Sequence, residues 1–387
     1  LGHQTGDRLL CNIAGGLSEH FTAPGTVSRI AGDEFAVILR GESLIADGRQ
    51  MIAESMTQAI ALSRADKLTL PFGLSGGIAI FPDHGDDAES IMKNARLALL
   101  QSKMHGRGHI GLFEPALRKA LDEKTSLLRR IWAGIANRQF MLHYQPIVGL
   151  RGGKVTGLEA LMRWNDPGRG VLPPAEFMVG FEEPDLAVAL GEVGLDLAID
   201  QMRQWLDAGI EFGSVAVNLS TAQFRLPDLA ATILGKLADA GVPPQRLTLE
   251  VTENVYMAWG ADVVAATVHR LHEAGVGIAL DDFGTGYASL THLRQFPIDT
   301  LKIDKSFVQS AESGAIVDAV INMGLSLGMQ VVAEGVEKPE QLSLLRMKGC
   351  DFVQGYIFAK PMEPADVAGF IAKFGTGGHV TKKIASR

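Results

Sequence analysis

Residues 247–282, LTLEVTENVYMAWGADVVAATVHRLHEAGVGIALDD, contain two short apolar runs separated by a helical segment. The runs LTLE and GIALDD both end in carboxylates. The intervening segment DVVAATVHRLHEAG has helical periodicity and ends in glycine, a usual C-terminal stop for a helix. This order predicts a strand, a helix and a further strand of the same sheet.

The same unit recurs along the chain from residue 139 onward. Short apolar runs, each closed by a polar residue and followed by a helical stretch, read FMLHYQ, VTGLEAL, SVAVN, LTLE, GIALDD, TLKID, QVVAE and FVQG. Eight such units predict an α/β fold of the TIM-like (β/α)8 barrel type. An open, doubly wound sheet is the alternative.

Polar residues stand where these runs end. In chain order they are Gln145, Glu159, Asn218, Glu250, Asp281 with Asp282, Lys302, Glu334 and Gln354. In a barrel the C-terminal strand ends face one shared mouth, so six potential oxygen ligands, five of them carboxylates, would converge there with one ammonium. Crowded carboxylates repel one another unless they are protonated or bind metal, and oxygen ligands favour Mg²⁺ or Mn²⁺. For any single residue, helix capping or solvation is the alternative.

Composition narrows the classes of protein that this chain can belong to. Its 387 residues are 47% hydrophobic and 21% charged, which is typical of two or three folded domains. A net charge of −8 argues against binding a nucleic acid polymer. Cys11 and Cys350 are far apart, which favours a reducing, cytoplasmic compartment. Because residue 1 is leucine and no signal peptide follows, we expect a piece of a longer protein, whose upstream part could carry a membrane anchor.

Longer strings surround the same strand ends. They are EALMR from Glu159, VNLS around Asn218, LEVTE around Glu250, DDFGTGYASL from Asp281, LKIDKSF around Lys302, AEGVE from Glu334 and QGYIFAKPM from Gln354. Together they closely resemble the EAL family of cyclic-di-GMP phosphodiesterases over about residues 120–372. The resemblance implies a barrel with an antiparallel first strand, a two-metal site, and hydrolysis of cyclic di-GMP to linear pGpG.

The resemblance also implies a metal-binding set at the mouth of the barrel. Its members would be Glu159, Asn218, Glu250, Asp281, Asp282 and Glu334, with Asp282 on the second metal. The metals would be Mg²⁺ or Mn²⁺. We expect Ca²⁺ to inhibit, because it is larger and activates water less well.

Further roles follow from the matching strings. Lys302 would position or help deprotonate the attacking water, and Glu337 would support the water and metal network. The substrate contacts would be Arg163 on a phosphate, with Gln145, Leu161 and Gln354 along the cleft. Glu253 would anchor the loop 282–289, which links the metal site to a dimer interface in this family, so we expect a homodimer through the barrel.

The N-terminal part carries a second resemblance. The string AGDEF at residues 31–35 resembles the GGDEF signature of diguanylate cyclases, and residues 2–10 match that family's GHxxGDxLL helix start. The resemblance places the signature on a β-hairpin turn. Alanine replaces the first signature glycine, TAPG stands where an inhibitory RxxD site is expected, and the family's first strand would precede residue 1. We therefore predict a partial, degenerate domain that is regulatory or vestigial, in which Asp7, Asp33 and Glu34 would help to hold GTP in the intact parent.

These patterns divide the chain into four predicted parts. They are the partial N-terminal domain at 1–113, a connecting helix at 114–136, the barrel at 120–372 and a flexible tail at 373–387. Besides an enzyme, the sequence leaves open a catalytically silent receptor for cyclic di-GMP and an interaction scaffold. Turnover would select the enzyme, binding without turnover the receptor, and neither the scaffold.

Overall fold

A computed structural model describes residues 3–21, 26–40, 74–104, 108–253, 255, 261–284, 296–310 and 313–376. The chain forms two compact units, Leu1–Ser126 and Leu127–Arg387. The boundary between them falls inside one helix, Pro115–Ala136.

In its described residues, the first unit has two whole helices and two pairs of strands ahead of the boundary helix. Its elements are α1 (His3–His20), β1 (Thr26–Ala31), β2 (Glu34–Ile38), β3 (Gly76–Ile78), α2 (Ala88–Met104) and β4 (Ile110–Leu112). Strands β3 and β4 are parallel, and β1 and β2 are antiparallel. Strand β3 lies so close to α2 that a Cβ on Gly77 would stand 2.1 Å from the carbonyl oxygen of Ala95, so only glycine fits there.

The AGDEF string lies on a hairpin, as the sequence predicted. Ala31 at the end of β1 pairs with Glu34 at the start of β2, and Gly32 between them has a φ of +52°. Glycine adopts this left-handed conformation without steric cost. The Arg29 guanidinium donates hydrogen bonds of 3.0 Å and 2.8 Å to the carbonyl oxygen of Gly32 and fixes the turn.

The second unit is a closed barrel of eight strands. They are β5 (Phe140–Gly149), β6 (Val155–Asp166), β8 (Ser214–Asn218), β9 (Leu247–Thr252), β10 (Gly277–Phe283), β11 (Thr300–Ile303), β12 (Gln330–Ala333) and β13 (Phe352–Gln354). Strand β5 pairs with both β13 and β6, which closes the barrel and excludes the open sheet. A short strand that the sequence did not predict, β7 (Gly170–Leu172), extends β6 as an antiparallel hairpin.

The first barrel strand runs against all the others. Strand β5 is antiparallel to β6 and to β13, whereas the remaining barrel pairs are parallel. This confirms the expectation that came with the family resemblance. The arrangement places Gln145 of β5 directly opposite Glu159 of β6.

Helices follow the strands along the chain. With the boundary helix as α3 (Pro115–Ala136), the others are α4 (Val179–Glu182), α5 (Pro184–Asp207), α6 (Leu229–Asp239), α7 (Ala261–Glu273), α8 (Lys305–Gln309), α9 (Gly314–Leu327), α10 (Pro339–Met347) and α11 (Pro364–Thr376). Strand and helix side chains form one continuous apolar core. Helix α11 extends beyond residue 373, where the tail was predicted to begin, and the rest of the predicted tail lies outside the described residues.

None of the helices in the described part of the chain is long and apolar enough to span a bilayer.

Candidate active site

The Lys302 ammonium lies among carboxylates that four different strands contribute: Glu159 lies within β6, Glu250 and Asp281 near the ends of β9 and β10, and Glu334 directly after β12. Its Nζ is 2.6 Å from Glu334 Oε1, 2.7 Å from Glu250 Oε1, 3.3 Å from Asp281 Oδ1 and 3.8 Å from Glu159 Oε2. The lysine side chain is only 2% exposed. Strand β11 therefore places one positive charge at the centre of the carboxylates that the neighbouring strands contribute.

Burial and charge crowding set the protonation of this cluster. Burial alone would lower the pKa of Lys302, but the four carboxylates outweigh it and hold the pKa well above its usual value. Burial raises the pKa of Glu250, and Glu159 raises it further against the opposing effect of Lys302. Burial also raises the pKa of Glu334 to about 8. Four carboxyl groups crowded around one ammonium cannot all be ionised at low cost, so the raised pKa values of Glu250 and Glu334 favour their neutral forms.

Two amide side chains donate hydrogen bonds to the carboxylate of Glu159. The Gln354 Nε2 donates to Glu159 Oε2 at 2.5 Å and to Gln145 Oε1 at 3.0 Å. The Asn218 Nδ2 donates to Glu159 Oε1 and to Glu250 Oε2, both at 3.2 Å. Gln145 in turn donates to the carbonyl oxygen of Ala359 at 3.2 Å. The predicted residues of β5, β6, β8 and β13 thus form one hydrogen-bonded network.

Asp282 lies beside the cluster in a conformation that is rare outside glycine. Its φ is +53°, in the left-handed region. Burial raises the pKa of its carboxyl, and Asp281 adds to the effect. The backbone N–H of Gly284 donates to Glu253 Oε1 at 2.8 Å, so Glu253 holds the start of the predicted loop. Residues 285–289 of that loop lie outside the described residues.

Glu337 is exposed and is held by glutamines that the sequence analysis did not identify. The Gln309 Nε2 donates to Glu337 Oε1 at 3.3 Å and to the carbonyl oxygen of Gly335 at 3.2 Å. The Gln341 Oε1 accepts from the backbone N–H of Glu337 at 2.9 Å. Both glutamines come from helices outside the strand ends, and strand periodicity could not have found them.

Leu161 and Arg163 continue the face of β6 that carries Glu159. Side chains alternate along a strand, so these three residues point the same way. His143, which the sequence analysis left out, lies opposite Leu161 on that face. Its Nε2 is buried without a hydrogen-bond partner among the described residues, and burial, with Arg163, lowers its pKa. Burial lowers the pKa of Arg163, whereas Tyr356 and Glu159 oppose that effect.

The donor set suits a hard divalent cation in chemistry and charge. Its candidate ligands are five carboxylates and one amide, and the buried oxygens Asp281 Oδ1 and Glu334 Oε1 both lie against the Lys302 ammonium. In the described part of the chain, no three Asp, Glu, His or Cys side chains already lie close enough together to hold a metal ion. The carboxylate oxygens lie against the Lys302 ammonium, and Asn218 directs its amide nitrogen toward Glu159 and Glu250. Metal binding would need carboxylate rotation and a half-turn of that amide.

The fold and the strand-end residues define a class of protein. The EAL domain profile matches residues 127–361, and the chain belongs to this family. The profile described as "Diguanylate cyclase, GGDEF domain" matches residues 1–109 ahead of it. The chain therefore has a GGDEF domain followed by an EAL domain, the order that the sequence predicted.

Similar proteins are found in bacteria. The bifunctional diguanylate cyclase/cyclic di-GMP phosphodiesterase MucR of Pseudomonas aeruginosa is 36% identical over 94% of this chain and 53% of its own length. The cyclic di-GMP phosphodiesterase NbdA of the same organism is 36% identical over 97% of this chain and 48% of its own length. The chain thus spans about half the length of these relatives.

A solved structure supports the fold of the barrel. The structure described as "PaMucR Phosphodiesterase, c-di-GMP complex" is 39% identical, with a TM-score of 0.60, and the match covers 62% of this chain and 99% of that one.

Proposed function

We propose that this chain hydrolyses cyclic di-GMP to linear pGpG in a reaction that depends on divalent metal. The observation that carries the proposal is the buried cluster of four carboxylates around Lys302. The names of the relatives and the bound ligand of the PaMucR structure point to the same substrate. The proposed setting is the bacterial cytoplasm, in second-messenger signalling.

Hydrolysis of a phosphodiester needs a positioned water and relief of charge on the phosphoryl oxygens. Divalent cations bound by Glu159, Asn218, Glu250, Asp281, Asp282 and Glu334 would supply acidity to the water and positive charge to the phosphate. Mg²⁺ and Mn²⁺ suit these oxygen ligands, and we predict inhibition by Ca²⁺.

The chain's own side chains would orient the reactants. Lys302 keeps its proton in the carboxylate cluster because its pKa is raised, so it would position the water by donating a hydrogen bond. If bound metal drew these carboxylates away from Lys302, the cause of the raised pKa would weaken and the ammonium would become a better proton donor. Glu337, held by Gln309, would support the same water.

Substrate would lie along the face of β6 that carries Glu159, Leu161 and Arg163. Arg163 offers a planar guanidinium that fits a phosphate with two parallel hydrogen bonds. Leu161 would contact an apolar face of the substrate, and Gln145 and Gln354 would contact its polar edge. The two amides are already linked to each other and to Glu159, so their orientation is set before substrate binds.

Glu159→Gln is the sharpest test, because it removes charge while keeping size. We expect loss of hydrolysis on the order of 10³-fold in Mg²⁺, followed as pGpG by chromatography. The matched control is Glu192→Gln, an exposed helix position, which should retain wild-type turnover. Turnover by wild type that survives chelation of metal, or full activity in Glu159→Gln, would overturn the metal-dependent proposal. Binding without turnover by wild type would select the silent receptor.

Two further parts of the proposal concern assembly and the N-terminal domain. We propose a homodimer through the barrel, in which Glu253 couples the loop after Asp282 to the interface. Specific activity should then rise with protein concentration over the range in which ultracentrifugation shows the protein passing from monomer to dimer. The N-terminal domain is proposed to be regulatory or vestigial, with GTP held near Asp33 and Glu34 in the intact parent.

A further inference from the structure

One glutamine side chain closes the turn that follows β8. Strand β8 ends at Asn218, and a short 3₁₀ helix, Gln223–Arg225, comes after it. The Gln223 Oε1 accepts hydrogen bonds from the backbone N–H of Ser220 at 2.9 Å and from the Ser220 hydroxyl at 3.0 Å. The Gln223 N–H donates in return to the Ser220 carbonyl oxygen at 3.0 Å. These reciprocal bonds fix the backbone directly after Asn218.

Helix α5 leaves the space that the Gln223 side chain fills. Gln223 is 1% exposed. A Cβ on Gly191 of α5 would stand 2.2 Å from Gln223 Oε1 and 2.3 Å from Gln223 Cδ, so the amide lies directly on the helix at that glycine. A buried amide oxygen without a partner costs free energy, and Ser220 supplies the partners here. A larger residue at position 191 would therefore displace the amide from Ser220.

The strand side of Asn218 is fixed as well. Asn218 pairs with Glu250 in the parallel ladder of β8 and β9, and the Leu219 N–H donates to the Glu250 carbonyl oxygen at 2.9 Å. Asn218 itself is exposed, and its amide donates to Glu159 and Glu250 over 3.2 Å. The backbone of Asn218 is thus held on both sides, while its amide has room to turn.

We propose that Gln223 is a positioning residue for Asn218 as a metal ligand, because it fixes the backbone from which the amide makes the half-turn that presents its oxygen. This inference rests on the proposed function and deepens it. A ligand whose backbone is already ordered loses less conformational freedom when the cation binds, so the affinity is higher. Without the bonds to Gln223, the cation would have to order the chain after Asn218.

The probe is Mn²⁺, whose affinity is measured without substrate from the electron paramagnetic resonance of the free ion. Gln223→Leu removes the acceptor of both Ser220 bonds and should weaken Mn²⁺ binding about tenfold. Ser220→Ala removes the hydroxyl and keeps the backbone N–H, so it should weaken binding by a smaller factor, about threefold.

Gly191→Ala reaches the same side chain from α5. Its added methyl would displace Gln223, so we expect a loss of Mn²⁺ affinity similar to that of Gln223→Leu with residue 223 itself unchanged. The matched control is Gly194→Ala on the same buried face of α5. Its Cβ would meet the flexible end of the Met162 side chain at 3.1 Å, and the affinity should stay within about twofold of wild type.

A double-mutant cycle with Asn218→Ala tests whether Gln223 acts through Asn218. Once the amide is gone, Gln223→Leu should weaken Mn²⁺ binding by less than about twofold further. A further loss as large as the one in the wild-type background would overturn the proposal, because Gln223 would then act on binding by another route.

Unchanged Mn²⁺ affinity in Gln223→Leu and Gly191→Ala, with a lowered melting temperature alone, would assign both residues to stability and overturn the positioning role. If Gln223→Leu does not fold, Gly191→Ala and Ser220→Ala give the same test. Wild-type protein that binds Mn²⁺ but does not hydrolyse cyclic di-GMP would overturn the proposed function, and the affinities of the variants would still decide this inference. Wild-type protein that binds no Mn²⁺ would overturn both.

Discussion

The barrel and the N-terminal hairpin both present acidic residues beside a basic one, yet the two arrangements differ in burial. In the barrel, Lys302 is 2% exposed and contacts four carboxylates. On the hairpin, Glu34 and Arg96 lie 3.2 Å apart with side chains 39% and 55% exposed. Water screens the second pair and not the first, so similar residues have very different energetic weight.

The same difference in burial distinguishes the signature residues of the GGDEF domain from those of the EAL domain. The GGDEF-type signature lies on a solvent-facing turn, where a charge interacts mainly with water and with a bound nucleotide. The strand-end residues of the EAL barrel interact with one another before any ligand binds. A substitution in the carboxylate cluster around Lys302 should therefore change stability and activity together, whereas one on the hairpin should change neither in the absence of a nucleotide.

Lys302→Met should produce the largest effect. Removal of the ammonium leaves several buried carboxylates unpaired, and we expect the free energy of unfolding to fall by about 3–5 kcal/mol in chelator. Mg²⁺ should restore part of the loss by neutralising the same carboxylates, while hydrolysis stays at least about 100-fold reduced. The measurements are denaturant unfolding with and without Mg²⁺, and pGpG formation.

Lys348→Met is the matched control for that variant. Among the described residues Lys348 pairs with one carboxylate, Asp318, and the two side chains are 17% and 46% exposed, so the loss should stay near about 1 kcal/mol or below. Equal destabilisation by the two substitutions would remove the contrast between a buried cluster and a screened pair.

Glu253→Ala should have the next largest effect, on activity rather than on stability. Its carboxylate accepts the Gly284 N–H at 2.8 Å, a charge-assisted bond that holds the backbone after Asp282. We expect specific activity to fall about tenfold and its dependence on protein concentration to flatten. Glu211→Ala, an 88% exposed glutamate, is the control and should keep both. An unaltered concentration dependence in Glu253→Ala would break the proposed coupling.

Sequence periodicity was sufficient to predict which strand residues face the mouth of the barrel, but not which side chains from helices and loops hold the site residues in place. The eight apolar runs located Glu159, Lys302 and Gln354 because alternation and strand order decide which residues face the mouth. The antiparallel direction of β5 came only from the family resemblance, since an apolar run carries no sign of its direction. Gln309 was missed because its contact with Glu337 joins a short helix to a loop, where no period operates.

Asp166→Asn should have a moderate, pH-dependent effect on stability. Asp166 is buried at the end of β6, and burial alone would raise its pKa. The Gly168 N–H, which donates to it at 2.9 Å, and its ion pair with Arg130 outweigh burial and lower the pKa below its ordinary 3.8. The ionised carboxylate therefore stabilises the fold above about that value and loses its contribution as the pH falls through the lower folded-state pKa.

At pH 7 we expect the asparagine variant to unfold with about 1–3 kcal/mol less free energy than wild type. The gap should narrow as the pH falls below 3.8, as measured by denaturant titration at each pH. A gap that stayed constant with pH would assign the loss to packing, and the charge of Asp166 would then have no part in it.

Glu34→Gln should have the smallest effect and defines the other end of the comparison. The substitution removes the charge that faces Arg96 but keeps the side chain's size and its place at the start of β2. Because both partners are exposed and screened, the free energy of unfolding should change by less than about 0.5 kcal/mol, and less still in high salt. Hydrolysis of cyclic di-GMP measured without GTP should match wild type, since the charges around Lys302 come from barrel residues. A large loss of stability, or a fall in hydrolysis without GTP, would show that the hairpin charge is coupled to the rest of the fold and would end the contrast.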